Sequence, residues 1–296
     1  MTRLKIWLQI IRLKFLSASI IAVTAGLTIS YGRFGLINPF LAALTYLGVI
    51  SLHISVDLLN DYFDYLSGID LITTRTPFSG GTGVLPAGLL APLSVYKAGI
   101  FFLVGGITIG LYLTLTQSFL ILPILAFAAI STYFYSTRLI AWGVGELLLV
   151  FKGAFIVLGT YLVQTIRLDF EPFYVGLIFG TLSTSVLFLN EFPDYDADKA
   201  KGRMNLVVRL GKQRAAAFHK VFHIVSYSII ILSVALGIIP VLALLSLLIL
   251  PLTVIVAKGL KENYMNSKKL IPYMATTSHI ARLIGIIIVV SYLFPI

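Results

Sequence analysis

The sequence predicts an all-α, polytopic membrane protein with nine transmembrane helices, and three observations predict it. Of 296 residues, 58% are apolar or aromatic and only 11% are charged. The mean hydropathy is +0.99, whereas a soluble domain carries about 25% charged residues. A water-facing surface cannot be built from so few charges, so lipid must be the solvent for most of the exterior. The apolar residues also fall in long continuous runs, and the basic residues sort to one side of them. Continuous runs read as helices, because barrel strands alternate and lipid tolerates no unpaired backbone.

Each crossing needs roughly 20 helical residues. The first span, 15–33, follows Arg3, Lys5, Arg12 and Lys14. That charge pattern is the opening of a signal peptide, but no small-residue cleavage site follows and further apolar runs do, so the span is read as uncleaved. The second, 40–61, begins at Pro39 and leads into a long connection, 62–93. The third to sixth are 94–116, 118–135, 142–165 and 172–192, and a second long connection occupies 193–214. The seventh and eighth are 215–237 and 239–257, and the polar, basic stretch 258–274 precedes the ninth, 275–294. Pro39, Pro123, Pro172, Pro240 and Pro251 lie at or near span ends, where a missing N–H costs least. Nine spans with the N-terminus inside place every Lys and Arg outside the membrane on the inner face except Arg33 and Arg167. An even number would scramble that sorting. Residues 1–296 are read as a single transmembrane domain, with the N-terminus and the polar loops cytoplasmic in the cell membrane.

The same distribution disposes of a nucleic-acid reading of the net charge of +10, because the basic residues lie in short segments between spans. There is no cysteine, so neither a disulfide framework nor a thiolate metal site is possible. His219 and His223 stand at i, i+4 but have no third ligand nearby in sequence, which favours ordinary helix-surface histidines.

Two acidic stretches carry the chemistry. NDYFDYLSGID (60–70) lies at the inner end of span two, and NEFPDYDADKAKG (190–202) at the inner end of span six. They match as N-[D/E]-[Y/F]-x-D-Y. Asn60 and Asp64 share a helical face, as Asn190, Asp194 and Asp198 are expected to do. Such oxygen ligands suit a hard cation, and Mg2+ takes one or two carboxylates plus substrate phosphate oxygens. Asn60, Asp61, Asp64, Asn190, Asp194 and Asp198 are the candidate metal ligands, with Asp64 and Asp194 central. Lys14, Arg75, Arg138, Lys199 and Lys201 are the candidate grips for a diphosphate. A single charged helix end is ordinary interfacial decoration, but two copies of one motif in phase are not.

Lys152 and Arg282 fall inside spans, where charge defaults to a paired or functional role. Lys152 is either neutralised by Glu146, two turns away, or reaches phosphate. Asp57 either extends the site or pairs internally. The glycine-rich stretch 75–88 is read as a cap over the polar site. Tyr62, Phe63, Tyr65, Tyr133, Tyr135 and Phe192 either face a cationic intermediate or serve as interfacial and packing rings.

The pair NDYFDYLSGID and NEFPDYDADKAKGRMNLVVRLG resembles the two aspartate-rich motifs of the UbiA superfamily of intramembrane prenyltransferases. RTPFSGGTGVLP, VLGTYLVQT (157–165), LVVRLG and RLKFLSAS (12–19) are similar to its MenA branch, which prenylates 1,4-dihydroxy-2-naphthoate. The resemblance implies nine helices around a central cavity, a Mg2+-bound polyprenyl diphosphate beneath a cap, an aromatic acceptor, and transfer of the prenyl group within the membrane. It maps Asn60 and Asp64 to the first metal motif, Asn190, Asp194 and Asp198 to the second, and Asp61 and Asp70 to supporting positions. Lys152 and STRL (136–139) depart from the branch pattern. A secondary transporter and a non-catalytic binder of an anionic lipid-like ligand are the rival classes. Motifs at helix ends and an odd number of spans count against a transporter.

Overall fold

The computed structural model describes residues 2–35 and 37–294, and all regular structure among them is helical. Eight helices are long and apolar enough to cross a membrane: α1 Leu13–Phe34, α2 Pro39–Ser67, α3 Pro92–Thr116, α5 Gly145–Thr165, α6 Phe170–Asn190, α7 Lys212–Ala235, α8 Val241–Asn263 and α9 Ser267–Ser291. The fourth predicted span is the helix α4, Ile121–Phe134. Its 14 residues reach only about 21 Å, so the expected count of nine becomes eight full-length helices and one short one.

Local chemistry sets the boundaries. Asn38 caps α2, its side chain accepting from Phe40 N at 3.0 Å and Leu41 N at 3.2 Å, with Pro39 in the first turn. Gly68 closes α2 in the left-handed conformation (φ +77°). α2 therefore runs six residues past the predicted end, and the first acidic motif is helical from Asn60 to Ser67, breaks at Gly68 and resumes in the short helix Ile69–Ile72. α4 passes into a π turn at Tyr135–Leu139, with Ile140 N donating to Tyr135 O at 3.0 Å. Such turns widen a helix locally and concentrate at functional sites. In α8 the nine residues Val241–Ile249 wind as a 3-10 helix, and Leu250 N donates to Leu247 O. Pro251 follows, without an N–H to offer that carbonyl the α-helical bond.

The tightest helix contact is between α5 and α6. A Cβ on Gly176 would lie 2.7 Å from Ala154 O, and one on Gly153 would lie 2.9 Å from Gly176 O. A Cβ on Gly180 would collide with the Val150 carbonyl. Gly176 and Gly180 form a small-xxx-small stripe, the spacing by which membrane helices bring their backbones together. α1 packs against α5 and α9, and α2 against α3. Between these helices lies a cavity of about 430 Å³, lined by residues of α1 to α6 and α9. α7 and α8 contribute nothing to its wall; they pack behind α6 and α9.

Candidate active site

The polar mouth of the cavity is where both acidic motifs end. Asn60, Asp64, Asn190, Asp194 and Asp198 all line it. α2 presents Asn60 and Asp64 on one face, and Asn60 Nδ2 donates to Asp64 Oδ2 at 2.8 Å and to Ser136 Oγ, in the π turn, at 3.0 Å. The second motif is built differently from the expected continuous helix. α6 stops at Asn190, and a new helix starts at Tyr195. Pro193 has no N–H to continue α6. The chain closes into turns, with Asp194 N donating to Glu191 O at 3.2 Å and Asp198 N to Asp194 O at 2.8 Å. The bend still delivers all three side chains to the cavity.

Arg203 joins the motifs. Its guanidinium donates twice to Asp64, once at 3.0 Å, and lies 3.8 Å from Asp198 Oδ1. Asn205 Nδ2 holds the other Asp198 oxygen at 2.8 Å. Arg12, at φ +54°, is one of two non-glycine residues in the left-handed region among those described, a conformation costing about 1–3 kcal/mol. Its ion pair with Asp61 offsets that cost and directs the arginine into the cavity wall. Burial opposes the charge on both arginines, but Asp61 at Arg12 and Asp64 with Asp198 at Arg203 outweigh it and hold each cationic.

The stretch 75–88 covers the mouth. Thr73 Oγ1 and Gly80 N donate to Asp194, the latter at 3.1 Å, while Thr82 donates through backbone and side chain to Asp61. One loop is thus tied to both motifs. Gly81 (φ +68°) lies so close to the Asp70 carboxylate that a Cβ would sit 2.5–2.7 Å from it, so only glycine fits. Phe78, Ser79, Gly80 and Gly81 form the cavity roof.

The structure sorts the other candidates. Lys152 lines the cavity. Lys14 donates to Pro77 O and lies 4.5 Å over the Phe78 ring. Arg75 donates to Asp70 O at 2.7 Å. Both brace the cap. Arg138, Lys199 and Lys201 are exposed and lie outside the cavity wall. Asp61 also lies outside the wall, committed to Arg12 and Thr82. Glu146 accepts from Leu206 N at 2.6 Å. Asp57 faces the cavity, 3.9 Å from His53 Nε2. Arg282 is held by Ser17 Oγ at 3.0 Å and Lys14 O at 2.7 Å. Of the six aromatic candidates, Tyr135 lines the cavity; Tyr62, Phe63 and Tyr133 cluster with Tyr96, Tyr65 packs on the apolar cluster that holds Ile10 and Leu58, and Phe192 packs on Phe188. Arg12, Arg203, Glu191 and Asn205 are cavity residues that the motif reading passed over.

The donor set fits a hard divalent cation. Asn190 Oδ1, Asp198 Oδ1 and both Glu191 carboxylate oxygens are buried without hydrogen-bond partners. Among the described residues no three acidic or histidine side chains are placed to hold an ion by themselves; Mg2+ commonly takes part of its shell from substrate phosphate. Desolvation raises Asp194 to about 6, against hydrogen bonds from Thr73 and Gly80. It raises Asp198 to about 7, against Arg203. It raises Asp70 to about 8, with Asp64 and Asp61 adding to the rise. In each the cost of burying the charge outweighs the partners that would lower it.

The sequence profile of the UbiA prenyltransferase family matches residues 19–277. The 1,4-dihydroxy-2-naphthoate octaprenyltransferase of Escherichia coli K12 is 30% identical over 228 residues, covering 74% of this chain and 72% of that protein. A UbiA homolog from Aeropyrum pernix K1 superposes with a TM-score of 0.70 at 16% identity, covering 93% of this chain and 97% of that one. A UbiA homolog from Archaeoglobus fulgidus, solved bound to DMAPP and Mg2+, gives 0.62 at 16% identity over 96% and 99%. The two structures show a shared fold. With the profile spanning most of the sequence, this integral membrane protein belongs to the UbiA prenyltransferase family and is a prenyltransferase.

Proposed function

We propose that the enzyme transfers a prenyl group from a polyprenyl diphosphate to an aromatic acceptor, 1,4-dihydroxy-2-naphthoate, in a single transmembrane domain of the cell membrane with its acidic mouth cytoplasmic. The observation that carries this reading is the convergence of two distant acidic motifs, bridged by Arg203, at the mouth of one cavity walled by membrane helices. The naphthoate acceptor rests on the named relative, and the orientation on the sorting of Lys and Arg.

Asn60, Asp64, Asn190, Asp194 and Asp198 would hold Mg2+. When bound, Mg2+ supplies the positive charge that makes diphosphate a good leaving group. Arg12, Arg203 and Lys152 add fixed positive charge on the cavity side, where diphosphate carries away its electron pair. The cap and the lipid-facing walls keep water from the allylic carbon as its bond to oxygen breaks. An electron-rich ring carbon then bonds to that allylic carbon, and a proton or, for the naphthoate, carbon dioxide leaves. The apolar chain lies along the lower cavity, past Ile109, Ile124 and Ile156.

Purified protein with Mg2+, a prenyl diphosphate and the acceptor should release diphosphate and form a prenylated ring. Asp64→Ala or Asp194→Ala should abolish release; full activity in either variant would defeat the proposal.

A further inference from the structure

A second cleft, of about 440 Å³, lies between α7 and α8, away from the active-site cavity. Lys220 on α7 and Lys258 and Lys261 on α8 stand at its rim. The chain order of α7 and α8 puts these residues at the membrane face that carries the acidic motifs. Lys258 and Lys261 are three residues apart and share a face. Among the described residues no carboxylate lies within ion-pair distance of any of the three.

Inside the cleft are two buried polar side chains, and one of them has nothing to bond to. His223 is 4% exposed and Tyr227 6%. Neither ring nitrogen of His223 has a hydrogen-bond partner, and the Tyr227 hydroxyl has only the Thr253 side chain to bond to. Thr253, opposite on α8, spends its hydroxyl on Leu250 O at 2.7 Å. A buried polar group without a partner is costly next to lipid, so a ligand that satisfies it is favoured. Along α7, His223 lies about 4.5 Å and Tyr227 about 10 Å deeper than Lys220. Ile224, Leu250 and Val254 provide apolar wall.

We propose that this cleft binds one anionic phospholipid of the leaflet on that face. The lysines hold the phosphate, the ester carbonyls reach His223 and Tyr227, and the acyl chains follow the apolar wall. Basic pockets between transmembrane helices at the headgroup level recognise such lipids. Cations at the rim with polar and apolar wall beneath them match a phospholipid and not a free anion.

Native mass spectrometry of the delipidated full chain tests this, with dioleoylphosphatidylglycerol as probe and dioleoylphosphatidylcholine as control. The chain should retain one phosphatidylglycerol, retain phosphatidylcholine far less, and keep its lipid in millimolar inorganic phosphate. The triple variant Lys220→Gln, Lys258→Gln, Lys261→Gln should bind phosphatidylglycerol on the order of 10- to 100-fold more weakly. His223→Phe, with all lysines intact, should also lose retention. Lys268→Gln with Lys269→Gln, on the same face outside the cleft, should not. Equal retention of both lipids, displacement by phosphate, equal loss in the control pair, undiminished binding in the triple variant or in His223→Phe, or a second copy of the chain in place of lipid would each overturn the proposal.

Discussion

Replacing Arg203 by methionine removes the only cation in contact with both Asp64 and Asp198 among the described residues. The side chain is 12% exposed, and those of its partners 9% and 3%. Breaking a buried pair by deleting one member costs about 3–5 kcal/mol, because the surviving charge is left uncompensated. Arg203 keeps 12% of its side chain exposed, which places the loss at about 3 kcal/mol, the low end of that range. For a chain of this size 1 kcal/mol moves the unfolding midpoint by about 2 °C, so Arg203→Met should melt about 6 °C below the wild type without metal. Thiol-reactive dyes are blind to a chain without cysteine, so intrinsic fluorescence of Trp7 and Trp142 is the readout. Adding Asp64→Asn should recover part of the loss, with a coupling of at least about 1 kcal/mol in the double-mutant cycle. Mg2+ should stabilise Arg203→Met more than the wild type, since it supplies the missing charge. An unchanged midpoint in Arg203→Met, or additivity within about 0.5 kcal/mol, would refute the assignment of Arg203 as the bridge.

Lys152→Met should lower kcat/KM for the prenyl diphosphate about 10- to 100-fold, the value of a lost charged contact, and Lys152→Arg should retain most of it; unaltered kinetics would remove Lys152 from the site. Gly180→Val should destabilise the α5–α6 contact by about 1–3 kcal/mol, whereas Gly105→Ala, whose Cβ meets nothing within 4 Å, should not; thermal unfolding distinguishes them. The pH dependence follows from Asp194, Asp198 and Asp70, raised to about 6, 7 and 8. A raised carboxyl favours the folded state while it is protonated, so its contribution is complete below the ordinary carboxylate range and is lost as pH rises through about 6–8. Metal-free protein should therefore melt lower at pH 8.5 than at pH 5.5, and Mg2+ should narrow the gap; a rising midpoint would contradict these shifts.

The membrane fold was legible because bilayer thickness and backbone hydrogen bonding leave so few solutions for apolar runs. Asn60 and Asp64 were legible for a local reason: i, i+4 residues share a face wherever the helix continues, and α2 continues to Ser67. The second motif was misjudged in shape because Pro193 breaks the helix, yet its residues still reach the cavity. The cations were the hard part. Closeness in sequence to an acidic motif does not say which side of a short helix a lysine occupies. Tyr195–Ala200 buries Ala197 and Asp198 and turns Lys199 to the surface. Arg12 reaches the cavity wall through a left-handed residue, and Arg203 from the segment that follows that short helix; neither has a periodic signature. In the sequence both are two more basic residues on the inner face.

A structure determined with Mn2+ and a non-hydrolysable prenyl thiodiphosphate bears most directly on the site, because anomalous scattering locates the metal independently of the protein. Metal peaks should lie between Asn60 and Asp64 on one side and Asn190, Asp194 and Asp198 on the other, with the thiodiphosphate joining them and Arg12 and Arg203 turned toward its oxygens. Metal bound to one motif alone, or a thiodiphosphate seated away from both, would contradict the account.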